Sequence, residues 1–204
     1  PIEDIISIDT NLNIETVVES VKVYEQIEKV RNHNLPCHDP FHLNDVFVID
    51  TDIPNTKIKK DDLMVSYNTG NFVAIVEPFT SKVKFFILGQ LYDKNIDKFI
   101  GQHSPIIIND TIFIFDNLGN QKNKNGKSRI LQYNFSKKLI YQYTGNKNHF
   151  FHSANRSFIH HYYDKLRKKD IFVVVSSKQG EIFEIVGRFK QNIFIEEEIN
   201  FLFS

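Results

Sequence analysis

"DTIFIFDNLGNQKNKNGKSRILQYNFSKKLIYQYTG" (Asp110–Gly145) carries three apolar strands in one stretch. Ile112–Phe115 opens it and a Gly/Asn-rich segment follows. Arg129–Tyr133 alternates, a short polar turn intervenes, and Leu139–Tyr143 closes. Alternation broken by turn residues at these offsets predicts strands, not helix. The same order recurs on both sides. "DLMVSYNTGNFVAIVEPFTSKVKFFILG" (Asp62–Gly89) has its middle and final strands at Phe72–Val76 and Val83–Leu88. "DIFVVVSSKQGEIFEIVGRFKQNIFIEEEIN" (Asp170–Asn200) has them at Glu181–Ile185 and Ile193–Glu197.

One further candidate strand precedes each unit. These are "HLNDVFVID" (His42–Asp50), "HSPIII" (His103–Ile108) and "ANRSFIHHY" (Ala154–Tyr162). Four antiparallel strands recurring roughly every 50–60 residues are the signature of β-propeller blades. The expected fold is therefore all-β: a single propeller domain over residues 1–204, with blades near 40–90, 101–146 and 153–200. "DIISIDT" and "IETVVES" read as the last strands of a partial blade within residues 1–20. "VKVYEQIEKVRN" (Val21–Asn32) is the one good helical pattern, with Val21, Tyr24, Ile27 and Val30 on one face. Three blades and part of a fourth leave a ring open, and open sheet edges are costly. The chain, which starts at Pro1 without Met, is thus expected to be a piece of a longer protein, or to self-associate.

The composition excludes several function classes. Lys+Arg and Asp+Glu are 25 each, a formal net charge of zero. The basic footprint of a nucleic-acid binder is absent, and a membrane-surface role is disfavoured with it. No apolar run reaches the length of a membrane span. Cys37 is the one cysteine, so no intrachain disulfide can form. Phe and Tyr at 19 and 8, with no Trp and one Met, predict an aromatic, β-branched core.

The first strand of a propeller blade lines the central channel, and its first residues face one mouth. His42 and His103 stand at those positions in successive blades, so both are expected to face one pocket. Asn44 shares the parity of His42 and would point the same way. Ordinary polar rim residues would show the same spacing.

"DPFHLNDVFVID", "DDLMVSYNTGNFVAIV", "GQHSPIIINDTIFIFDN", "SRILQYNFSKKLIYQYTG" and "GEIFEIV" follow one another over roughly Asp39–Ile199. In that order they resemble the arylsulfotransferase (arylsulfate sulfotransferase-like) propeller family. The resemblance implies a six-bladed propeller that passes a sulfuryl group from a phenolic sulfate to a phenol, without metal or organic cofactor. It implies a His-x-Asn element, matched by His42-Leu43-Asn44, and a Gln-His element, matched by Gln102-His103. By resemblance His103 is the nucleophile, sulfated on nitrogen during turnover. His42 and Asn44 would then meet the sulfuryl oxygens or the leaving phenol, His42 as acid–base. Export to the periplasm is implied in the same way. The family arginine after the Ser of the second strand falls on Asn68 in "VSYNTG". Arg156, near the start of the third first strand, is a candidate to supply the missing charge.

That departure keeps two readings open. An arginine grips sulfuryl oxygens with a charged fork, whereas asparagine brings no charge. Losing one such oxyanion donor costs roughly 3–4 kcal/mol of barrier. Asn68 therefore favours a catalytically silent binding propeller, while His42, Asn44 and His103 favour the enzyme. A quinone-cofactor propeller is excluded, because its tryptophan docking motif cannot exist in a chain without Trp. Other signals are weaker. Cys37, His38, Asp39 and His42 lack a second pair at ligand spacing, and Pro36 and Pro40 interrupt them, so no metal site is expected. "NGKSR" around Lys127 lies between strands rather than before a helix, unlike a phosphate loop. Glu196–Glu198 read as a solvated strand end, and His160 and His161 as opposite faces of one strand.

Overall fold

Strand order follows chain order in every sheet of the computed structural model, which describes residues 3–27, 39, 41–90 and 97–203. The chain divides into two compact units, Pro1–Leu91 and Tyr92–Ser204. In the first unit β1 (Ile5–Ile8) pairs with β2 (Ile14–Val18). Helix α1 (Ser20–Gln26) follows, and then one four-stranded sheet of β3 (Leu43–Val48), β4 (Leu63–Tyr67), β5 (Phe72–Glu77) and β6 (Lys82–Leu88). The second unit holds two such sheets. One is β7 (His103–Ile108), β8 (Thr111–Asp116), β9 (Arg129–Asn134) and β10 (Leu139–Tyr143). The other is β11 (Phe158–Asp164), β12 (Lys169–Ser176), β13 (Glu181–Lys190) and β14 (Ile193–Phe203). All neighbours run antiparallel. The protein is all-β, built on four-stranded meanders as the repeat predicts. No helix among the described residues is long and apolar enough to cross a membrane.

Several local readings need correction. The helix is shorter than its pattern and closes at Ile27; the positions predicted beyond it, through Asn32, lie outside the described residues. Its buried stripe is Val23, Tyr24 and Ile27, while Val21 is exposed. The Tyr24 ring sets that rotation, sitting 4.5–5.3 Å from the rings of Phe41, Phe72 and Tyr67. The third first strand begins at Phe158, not at Ala154. Strand β14 runs on to Phe203, so Glu196–Glu198 are exposed, as predicted, but lie mid-strand. There the Tyr141 hydroxyl donates to Glu196 at 3.0 Å, and Arg188 meets Glu197 at 3.3 Å.

The middle strands also depart from half-buried alternation. Nearly every residue of β4, β5, β8 and β9 is buried, on both faces. In the second unit the two sheets pack face to face. Phe113, Phe115 and Ile130 of one meet Phe172, Val174, Phe183 and Ile185 of the other. Ring centroids of Phe113 and Phe172 are 4.5 Å apart, and those of Phe172 and Phe194 are 4.9 Å apart. Each such side chain contributes about 1.5–3 kcal/mol by leaving water. His160 is exposed while His161 turns inward onto Phe172 at 5.1 Å. Burial pushes the His161 ring below its usual pKa, against the pull of Asp170, whose carboxylate lies 3.0 Å from Nε2.

The glycine of "NGKSR" serves packing. Gly126 has φ +122°, and a Cβ there would overlap the Phe151 carbonyl. Only glycine lets this loop lie against Phe151, whose amide donates to Asn125 O at 2.6 Å.

Candidate functional site

In the first unit the chain enters β3 through His42, whose backbone is left-handed at φ +45°. A bulge between Leu43 and Asp45 then breaks the ladder with β4. Asn44 sits in that bulge, so period-2 parity does not set its direction from that of His42. His42 itself lies just outside the strand and is exposed. Its Nδ1 meets the carboxylate of Asp39, and its backbone N–H donates to the same carboxylate at 3.1 Å. The hydrogen bond from His42 holds the Asp39 carboxyl below its usual pKa. The ring is exposed, with the Asp39 carboxylate on its Nδ1 side.

Asn68 is bound to the same corner. Its N–H donates to His42 O at 2.9 Å, and its carbonyl accepts from Asn71 at 2.9 Å to close the β4–β5 turn. The next residue, Thr69, donates from Oγ1 to Asp39 O at 3.2 Å. The Asn68 side chain is half-buried and makes no hydrogen bond among the described residues. His42, Asp39 and Asn68 thus form one hydrogen-bonded corner at the start of β3. Cys37, His38, Pro36 and Pro40 lie outside the described residues. Among those that are described, no group of three or more His, Cys, Asp or Glu could hold a metal ion.

In the second unit His103 opens β7. Gly101 before it has φ +65° and Ser104 after it φ +49°. The ladder to β8 slips between His103 and Ile106, around Pro105, which has no N–H to lose. His103 Nδ1 lies 2.8 Å from Asn117 Oδ1 and 3.1 Å from Gly101 O. Asn117 is fully buried. Its Nδ2 donates to Ser153 O at 2.7 Å and to Ser157 Oγ at 3.3 Å. Ser128 Oγ in turn donates to Asn117 O at 2.9 Å. Asn117 thus uses its side-chain oxygen, its side-chain nitrogen and its backbone carbonyl in hydrogen bonds, as a buried polar residue requires.

Two further contacts hold the corner. The Ser104 hydroxyl donates to Ile159 O at 3.2 Å and accepts from Ile159 N at 3.1 Å, pinning β7 to β11. Beneath the approach to His103 lies a buried ion pair. Arg129 Nε donates to Asp116 Oδ2 at 2.6 Å, and its Nη2 donates to Lys98 O at 2.9 Å. Asp116 Oδ1 accepts from Ile100 N at 2.8 Å. Arg156, exposed and left-handed at φ +54°, adjoins Ser157 and has no ion-pair or hydrogen-bond partner for its side chain among the described residues.

The residues expected for the site thus fall in two groups. His42, Asn44 and Asn68 belong to the first unit; His103 and Arg156 belong to the second. Within the second, Arg156 sits on the segment that holds Asn117, and Asn117 holds His103. Asn117, the ring partner of His103, was not singled out from sequence, and Asp39, the ring partner of His42, was weighed there only as a metal ligand. Asn117 had a signal, because a β7–β8 hairpin with His103 opposite Phe115 carries residue 117 back to the level of Gly101.

Three four-stranded antiparallel meanders, one of them opening on His103, place the chain among all-β proteins built from blade-like sheets. The arylsulfotransferase (ASST) family model matches residues 4–197, and the chain belongs to that family. No curated protein matches it.

Proposed function

We propose that the chain is part of an arylsulfotransferase-type β-propeller that moves a sulfuryl group from a phenolic sulfate to a phenol through His103. The meander order of the sheets supports blades. So does the contact of first strand β7 with first strand β11 through Ser104 and Ile159. An experimental structure in which successive first strands do not line a common axis would contradict the propeller.

The observation that carries the chemistry is the held imidazole of His103. A ring nitrogen of neutral His103 attacks sulfur, and the bond between sulfur and the aryl oxygen breaks with its electron pair going to that oxygen. A general acid gives the departing phenolate its proton, the role that the family resemblance implies for His42. In the second half-reaction the same group, now a general base, takes the proton of an acceptor phenol. The phenol oxygen then attacks sulfur, and the nitrogen–sulfur bond electrons return to His103. Neutral imidazole is a competent nucleophile near ambient pH, and two displacements with good leaving groups replace one hard one. The family resemblance assigns Asn44 and Asn68 to the sulfuryl oxygens, and both are neutral donors. The cation is the weak point, since the transition state rests on positioning and electrostatic stabilisation. Arg156, without a side-chain partner among the described residues, adjoins Ser157, one of the residues that hold Asn117, and is the candidate cation.

With Asn68 in the arginine position, turnover is slow and confined to activated phenyl sulfates. The expected result with 4-nitrophenyl sulfate is a low rate of 4-nitrophenolate release that rises when an acceptor phenol is added. Asn68→Arg places a guanidinium on a residue already hydrogen-bonded to His42, and raises that rate by on the order of 10²-fold. No release by either protein would favour the one rival with an observation behind it. That rival is a silent binding propeller, and the observation is Asn68 itself.

A further inference from the structure

The geometry points to Asn117 as the positioning residue of the site: it holds the proton of His103 on Nδ1, leaving Nε2 as the attacking nitrogen. This rests on the reading of His103 as nucleophile and adds the atom and its orienter. The amide orientation of Asn117 follows from its partners. Ser153 O can only accept, so the atom 2.7 Å from it is the donating Nδ2, and Oδ1 faces the ring. His103 Nδ1 therefore meets two acceptors, Asn117 Oδ1 at 2.8 Å and Gly101 O at 3.1 Å. Both demand a proton on Nδ1. A neutral ring with its proton there carries its lone pair on Nε2, and no described residue hydrogen-bonds that atom.

The chemistry gains twice from this arrangement. The ring cannot turn its protonated nitrogen toward the sulfate, because turning would strand Asn117 Oδ1 in a fully buried cluster. When Nε2 takes the sulfuryl group the ring becomes cationic, and its Nδ1–H bond to Asn117 strengthens into a charge-assisted one. Ser153, Ser157 and Ser128 fix Asn117 as Asn117 fixes His103. A positioning partner of this kind is commonly worth about 10–100-fold in activity.

The test reads the tautomer directly and needs no sulfate donor. The chain is labelled with ¹⁵N-histidine, and the His103 ring signals are assigned by their loss in His103→Gln. Expected are a protonated Nδ1 and a bare Nε2 in the unaltered protein. Asn117→Ala should move the ring to the Nε2–H form or to a mixture, and Asn117→Asp, which keeps an acceptor in place, should retain Nδ1–H. Should Asn117→Ala fail to fold, Asn117→Ser removes the same contact with less loss of packing. An Nε2–H ring in the unaltered protein, or an unchanged tautomer after loss of the amide, would overturn the assignment. With 4-nitrophenyl sulfate, Asn117→Ala should also form the His103 adduct at least about tenfold more slowly. An Nδ1–H ring that never forms an adduct would instead sink the sulfotransferase reading and leave the Asn117 contact standing.

Discussion

Replacing Arg129 with methionine should lower the unfolding free energy by about 3–5 kcal/mol, because it leaves a buried carboxylate without its cation. Arg129 and Asp116 both have fully buried side chains. The guanidinium binds Asp116 through Nε and Nη2, and Nη2 also holds Lys98 O at 2.9 Å. Asp116 Oδ1 takes the amides of Ile100 at 2.8 Å and Gly119 at 2.9 Å. One substitution therefore frees a charge and loosens the chain on its way into His103. The pair is not worth that much in itself. Paired apolar replacement of buried ions is often neutral, so Arg129→Met with Asp116→Leu should recover most of the loss. Urea denaturation of both single variants and the double variant measures this. A single-variant loss under about 1 kcal/mol would mean that Asp116 is not dependent on Arg129.

The second large effect is chemical. His103→Ala should lower aryl sulfate turnover by on the order of 10⁴-fold or more, the scale seen when a nucleophile is removed from a site acting as a unit. Stability should fall by only about 1–3 kcal/mol, the cost of leaving Asn117 Oδ1 without its ring partner, because Asn117 keeps its bonds to Ser153 and Ser157 and the variant still melts cooperatively. A His103→Ala protein that melts normally yet keeps its rate would remove His103 from the reaction. The measurement is the initial rate of 4-nitrophenolate release beside a thermal melt of the same preparation.

Strand order was legible from sequence because turn residues and apolar runs recur in the same order in each unit. What alternation could not show is which strands are covered on both faces. "TIFIFD" reads as a strand of period two, yet all six residues of β8 are buried, Asp116 among them. A charged residue reads as exposed unless its partner is known. Asp116 and Arg129 are joined by a hairpin register that only folding sets. The same limit hid Asn117 and the pairing of Asp39 with His42, since each contact depends on the histidine ring it meets. Parity does not carry from His42 to Asn44, because a left-handed residue and a bulge interrupt the pleat between them. The strand that opens at His103 was legible by position, since an apolar run begins there.

The most direct measurement is mass spectrometry of the His103 peptide after incubation with 4-nitrophenyl sulfate, digested under alkaline conditions that preserve nitrogen-bound sulfate. The account predicts one sulfuryl group on the His103 ring, removed when an acceptor phenol is added, and more abundant in Asn68→Arg. No adduct on His103 in either protein, or an adduct that a phenol does not discharge, would contradict it.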